Sequence, residues 1–266
     1  MKNNTIGKYL GPKETEVIAR LSYEKVSLVT KEQLDRWFGF SPELRKQIVF
    51  RLKNKGVLLP IKRGLYFFSP LESGPKGSRI NEFLIPPVLF PKGNYYLGYS
   101  TMYSYYGFTD QIFQTMYILN TSLQREKIIG SIQFKMVKIS STRMYGLKKI
   151  KIKNADVIVS DRERTLVDLI YFPQPVGGLN QAFRILKEEV KYKKVDIKKL
   201  VKYAVRFPSA SVRKRIGFVL DSSGVNENIL KPLLKSIKNT SLVPLFPSPS
   251  RKGKINKKWM VIKNAP

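Results

Sequence analysis

A chain of 266 residues, 42% hydrophobic and 12% aromatic, has room for one large domain or two modest ones and is too apolar to be disordered throughout. It has no cysteine and no histidine, which excludes disulfides, thiolate chemistry, the common zinc sites and histidine-based triads. Forty-nine Lys and Arg against 19 Asp and Glu give a formal charge of +30, which attracts polyanions, nucleic acid first and an anionic membrane surface second.

The charge is uneven: net +8 over residues 1–78, +6 over 79–190 and +16 over 191–266. Met1-Lys2-Asn3-Asn4-Thr5 leads into no apolar leader, and no apolar run is long enough to span a bilayer, so a cytoplasmic location is expected and no membrane partner.

In chain order, 13–25 places Val17, Ile18 and Leu21 at helical spacing. Thr30 and Gln33 form a capping box for a second helix, with Leu34, Trp37 and Phe38 inward and Gly39 as its stop. Ser41, Pro42 and Glu43 open a third helix that runs to Gly56. Strands near 57–61 and 65–69 follow, joined by Lys62-Arg63-Gly64. Three short helices and a hairpin within about 70 residues read as a winged helix-turn-helix over 1–70.

Residues 71–78 are rich in Pro, Gly and Ser and read as a linker. Residues 79–266 are expected to form a larger C-terminal domain. It starts with a helix near 79–85 broken by Pro86-Pro87, and continues with strands at 116–120, 132–139 and 148–159. Helices follow at 161–171, 179–190, 196–206, 210–221 and 226–238, then the apolar run 242–246, a polar basic turn at 247–257 and a last strand near 258–262. The expected fold class is therefore α+β: a winged helix, then a mixed α/β domain with a small sheet and a helical bundle.

On the 42–55 helix, Leu44, Ile48, Val49 and Leu52 form one apolar stripe. Lys46, Gln47, Phe50, Lys53 and Asn54 lie opposite, flanked by Arg45, Arg51 and Lys55. A charged outer face is commonly just solvated. Helix-turn-helix spacing and a basic hairpin tip favour DNA instead, with Ser41 and the first amides on a phosphate and Lys62 and Arg63 on the backbone or the neighbouring groove. Gln47 and Asn54 match adenine edges. Phe50 suits either a thymine methyl or packing against the linker or second domain, the latter favoured. The DNA-reading set is thus Ser41, Arg45, Lys46, Gln47, Phe50, Lys53, Asn54, Lys62 and Arg63.

At 160–171, Ser160 and Glu163 suggest a capping box, and Arg164 and Asp168, four apart, an ion pair that fixes helix docking. Asp161, Glu163 and Asp168 could also suggest Mg2+ chemistry. No second carboxylate motif and no phosphate-cradling glycine loop accompanies them, so no enzyme, metal site or cofactor is expected. The tyrosines and Phe108 of 95–108 have no Lys or Arg from 93 to 124 and read as core rather than as a base-stacking platform.

Several stretches together resemble the AbiEi antitoxins of type IV toxin–antitoxin and abortive-infection systems. They are NKGVLLPIKRGLYFF (54–68), YYLGYSTMYSYYGFTDQ (95–111), VSDRERTLVDLIYFPQPVGG (159–178), LNQAFRIL (179–186), VRKRIGFVLD (212–221) and KKWMVIKN (257–264). The DRERTLVDL helix followed by Pro and Gly-Gly is the most specific of them. The resemblance implies a winged-helix repressor that binds inverted repeats in its own promoter. It also implies a C-terminal domain that antagonises a nucleotidyltransferase-like toxin without a stable complex. The charge of 191–266 suggests a second basic surface, built from Lys198, Lys199, Lys202, Arg213, Lys214, Arg215, Lys252 and Lys254, on DNA beside the operator or on an RNA. A general winged-helix regulator, or an RNA-binding protein with a basic C-terminal module, is the alternative.

Overall fold

A computed structural model describes residues 10–69, 81–153, 155–238, 240–247 and 252–264; the expected linker, 71–78, lies outside them. The fold is mixed α+β and divides into two compact units. The first takes Met1–Leu89 with Lys127–Gln133, the second Phe90–Glu126 with Phe134–Pro266.

The first unit runs α1 (Pro12–Tyr23), β1 (Leu28–Thr30), α2 (Lys31–Phe38), α3 (Pro42–Asn54), β2 (Leu58–Lys62), β3 (Leu65–Phe68) and α4 (Ile85–Leu89). Strand β1, too short to read from the sequence, joins the hairpin in a sheet of order β1-β3-β2, its Leu28 opposite Phe67 and Thr30 opposite Leu65. Val17, Leu21, Leu34, Ile48, Leu52, Leu58 and Phe68 share one buried core. Leu44, expected in the buried stripe, is 37% exposed in the first turn of α3. The prolines at 86 and 87 do not break a helix. A 3-10 turn, Glu82–Leu84, leads into α4, and both prolines occupy its first turn, where their missing N–H groups would have no intrahelical partner anyway.

The second unit contains β4 (Tyr95–Gly98), α5 (Ser100–Tyr105), β5 (Thr115–Asn120), β6 (Arg125–Ile129), β7 (Ile132–Lys138), β8 (Leu147–Ile152) and β9 (Ala155–Ser160). Residues 127–133, which take most of β6, the turn and the first two residues of β7, are counted with the first unit. Five helices follow: α6 (Arg162–Tyr171), α7 (Leu179–Lys191), α8 (Ile197–Arg206), α9 (Ala210–Ser222) and α10 (Glu227–Lys235). The chain closes with β10 (Val243–Pro244), β11 (Lys254–Asn256) and β12 (Val261–Lys263). The large sheet has the order β6-β7-β5-β4-β9-β8 and the small one β10-β12-β11. The run 148–159 is not one strand but the β8–β9 hairpin, from Leu147 opposite Ser160 to Ile152 opposite Ala155. Tyr96, Tyr103, Leu166, Leu169, Leu186, Leu200, Phe207, Ile216, Leu220, Leu233 and Trp259 fill the core that the helices share with the sheet. Among the described residues, no helix is long and apolar enough to cross a membrane.

Candidate nucleic-acid interface

The first unit builds its candidate surface from local capping outward. Thr30 Oγ1 accepts from the Gln33 amide at 3.1 Å and Gln33 Oε1 from the Thr30 amide at 2.9 Å, so α2 starts on a closed capping box. Gly39 stops the helix in the left-handed region (φ +58°), where a side chain would be strained. Two residues later, Ser41 Oγ accepts from the Leu44 amide at 3.2 Å and starts α3. Ile48, Val49 and Leu52 of α3 are buried. Lys46, Gln47, Phe50, Lys53 and Asn54 are exposed on its far side, and Phe50 is 60% exposed rather than packed.

Several basic residues have structural employment. Arg45 is tied to Asp35 of α2 by a short ion pair and is largely covered, so it braces the two helices instead of facing outward; the hydrogen bond to Asp35 also raises its pKa. Lys55 and Arg51 both pair with Glu14 of α1, which is 3% exposed. Burial disfavours the Glu14 carboxylate, but the hydrogen bonds from Lys55 and the Gly11 amide, with the Lys55 and Arg51 charges, hold it below the usual carboxylate range. The sequence carried a signal for this: Glu14 lies three, four and seven residues before Val17, Ile18 and Leu21, on their stripe.

The hairpin tip also differs from expectation. Strand β2 extends through Lys62, with a register shift between Pro60 and Lys62, and the turn is Arg63-Gly64 alone. The Gly64 carbonyl accepts from the Lys31 amide at 2.8 Å, so the turn folds down onto the start of α2. Lys62 Nζ donates to the Val88 carbonyl at 3.0 Å, and Lys127 Nζ donates to the Ile61 carbonyl. Of the two expected tip cations, Arg63 is therefore the one the hairpin presents without a tether among the described residues, while Lys62 is exposed but engaged by α4.

In the second unit, Arg164 Nη1 and Asp168 Oδ1 lie 3.1 Å apart with both side chains fully buried. Arg143 approaches the same carboxylate at 3.8 Å. Tyr96 Oη accepts from Arg164 at 3.0 Å and donates to Asp168 at 3.4 Å. Arg164 also lies over Tyr145 at 4.6 Å and Phe207 at 5.1 Å. Burial pushes the Asp168 carboxyl up and the two guanidiniums pull it back. The net direction for Asp168 is upward, burial outweighing the two guanidiniums, while both arginines keep their protons. Arg143 Nη2 donates to Tyr99 Oη at 3.1 Å, and burial followed by the Asp168 charge pushes that phenol up to about 12.

The capping box expected from Ser160 and Glu163 is not the one that forms. Asp161 is the N-cap, its Oδ1 accepting from the Arg164 amide at 2.9 Å. Ser160 Oγ lies 2.7 Å from Thr165 Oγ1, and Glu163 accepts from the Asp196 amide at 3.1 Å. The Ser160 side chain closes toward β4 and α6, which leaves the cap to the next residue. Lys199 bridges Asp161 and Glu163 at 3.0 and 2.9 Å; partial burial opposes its charge, but Glu163 and Asp161 hold it above the usual lysine range.

The expected basic surface of 191–266 is correspondingly thinner. Lys199 is spent on those carboxylates. Lys214 is fully buried, its ammonium on the Ser241 carbonyl at 2.5 Å, and burial, with the neighbouring Arg213, lowers its pKa. Arg215 donates to the Pro244 and Leu245 carbonyls at 3.0 and 3.2 Å. Arg213 is half-buried. Lys198, Lys202, Lys252 and Lys254 remain exposed. The physical reason is that α9 is covered on more than one side, so Lys214 and Arg215 turn toward neighbours and reach carbonyls. Among the described residues, no three acidic side chains gather as a cation site.

No protein-family model matches the sequence, and no curated protein does. The crystal structure of the RV2827C protein from Mycobacterium tuberculosis matches with a TM-score of 0.68, covering 97% of this chain and 93% of that one at 14% identity. At that identity the likeness shows a shared mixed α+β fold over nearly the whole chain.

Proposed function

We propose that the first unit is a winged helix-turn-helix that reads double-stranded DNA, with α3 as recognition helix, and that the protein is a transcriptional autoregulator. The observation that carries the reading is the division of α3. Ile48, Val49 and Leu52 anchor it, while Lys46, Gln47, Phe50, Lys53 and Asn54 stand together on its open side. Two lysines supply phosphate contacts, two amides supply adenine readout and an exposed ring suits a thymine methyl. Arg45, clamped to Asp35, sets the angle between α2 and α3 and touches no base. We further propose, on the AbiEi-like motifs, that the second unit antagonises a nucleotidyltransferase-like toxin without forming a stable complex with it.

Anisotropy titrations on duplex DNA from upstream of the reading frame test the first proposal. Lys46→Ala with Lys53→Ala should weaken binding across sequences and reduce the salt slope by about two, roughly one per lost phosphate contact. Gln47→Ala should instead narrow the gap between specific and non-specific duplexes. An unchanged affinity and salt slope in the double lysine variant overturns the assignment. Co-expression with a toxin encoded beside it tests the second: residues 90–266 should be required for rescue of growth.

A further inference from the structure

Helix α5 ends at Tyr105, with Tyr106 as its C-cap. Gly107 then reverses the chain in the left-handed region (φ +70°), and Phe108 folds back onto Tyr106 with ring centroids 5.8 Å apart. The absence of nearby Lys and Arg in the sequence argues for a purely structural cluster, but the fold supplies cations from distant segments. Lys148, on the edge strand β8, lies 5.3 Å from the Tyr106 ring and 5.9 Å from that of Tyr105. Arg162 lies 5.3 Å from Tyr106 and 5.4 Å from Phe108.

The two cations differ in availability. Arg162 is held by Glu189 at 2.5 and 3.1 Å. Lys148 is exposed and has no carboxylate partner among the described residues. Tyr105 keeps 46% of its surface open. Phe108 also forms part of the wall of an open cleft of about 520 Å³, which Asp110, Gln111, Gln181, Arg184 and Glu188 line with hydrogen-bonding groups.

We propose that this surface binds unpaired nucleotides of single-stranded RNA. A base stacks on the open Tyr105 ring, Lys148 neutralises its phosphate, and a neighbouring nucleotide enters the cleft. Stacking on an exposed ring requires a free π-face, which a duplex hides. The cleft carboxylates need hydrogen-bond donors. A 2′-hydroxyl and exocyclic amines are donors, whereas a phosphodiester backbone offers only acceptors. This site is separate from α3 and does not depend on the DNA-reading proposal.

The test is fluorescence anisotropy of the full chain with labelled oligouridylate and oligothymidylate of about twelve nucleotides and with the upstream duplex. Tyr105→Ala and Lys148→Ala are both surface changes. Tyr105→Ala should weaken oligouridylate binding roughly tenfold, the scale of one base–aromatic stack, and leave the duplex unchanged. Oligouridylate should bind tighter than oligothymidylate. The proposal is overturned if Tyr105→Ala leaves oligouridylate unchanged, if it lowers duplex and single strand in parallel, or if the two oligonucleotides bind alike. Absence of duplex binding by the unaltered protein, together with a Tyr105-dependent oligouridylate signal, would instead count against the DNA-reading proposal alone.

Discussion

Removing the carboxylate from the Arg164–Asp168 pair is a sharp perturbation because its surroundings leave no substitute. Both side chains are fully buried and 3.1 Å apart, and Arg143 stands 3.8 Å from the same carboxylate. At an effective dielectric of about 20, the two attractions are worth about 5 and about 4 kcal/mol before desolvation is charged against them. Asp168→Ala leaves two guanidiniums facing Tyr96, Tyr145 and Phe207 with no counter-ion among the described residues, a situation that costs about 3–5 kcal/mol. For a body of this size that lowers the melting temperature by roughly 10 °C. Trp37 and Trp259 fall in different units, so a Trp37→Phe background makes Trp259 fluorescence a reporter of the second unit. Because the penalty belongs to the orphaned charge, Arg164→Met with Asp168→Leu should recover at least half of the loss. A shift below about 3 °C in Asp168→Ala, or a double variant less stable than the single one, would refute this account.

Three further outcomes follow from packing and pairing. A Cβ at Gly217 would stand 2.0 Å from the ring of Trp259, which is fully buried, so Gly217→Ala should destabilise the second unit by about 3 kcal/mol or more, read from denaturant melts. Glu14 has a folded pKa below its ordinary 4.5. Its contribution is therefore complete above the unfolded value and is lost as pH falls through the depressed folded value, so Glu14→Gln should flatten the acid limb of the first unit's stability curve. At the hairpin, Arg63→Ala should weaken duplex binding more than Lys62→Ala in the same salt, since the Lys62 ammonium is engaged by Val88; equal effects would contradict that placement.

Local chemistry was enough to place most elements. The Thr30/Gln33 box, Gly39, and Ser41-Pro42 fix the ends of α2 and the start of α3 through hydrogen bonds that close within four residues. Helical spacing found α6 to α10 for the same reason. Strands β1, β4, β6 and β11 were not legible, because three to five residues carry too little periodicity and their pairing partners are distant in the chain.

The destinations of charged groups belong to the tertiary structure. Nothing in the order of residues sends Lys214 into the core, Lys199 onto Asp161 and Glu163, or Arg45 onto Asp35. Nor does it bring Lys148 to Tyr105 across more than forty positions. A long basic side chain adopts whichever acceptor or aromatic face packing puts within reach. Composition therefore set a formal charge of +30, and the fold decided which of its cations stay exposed.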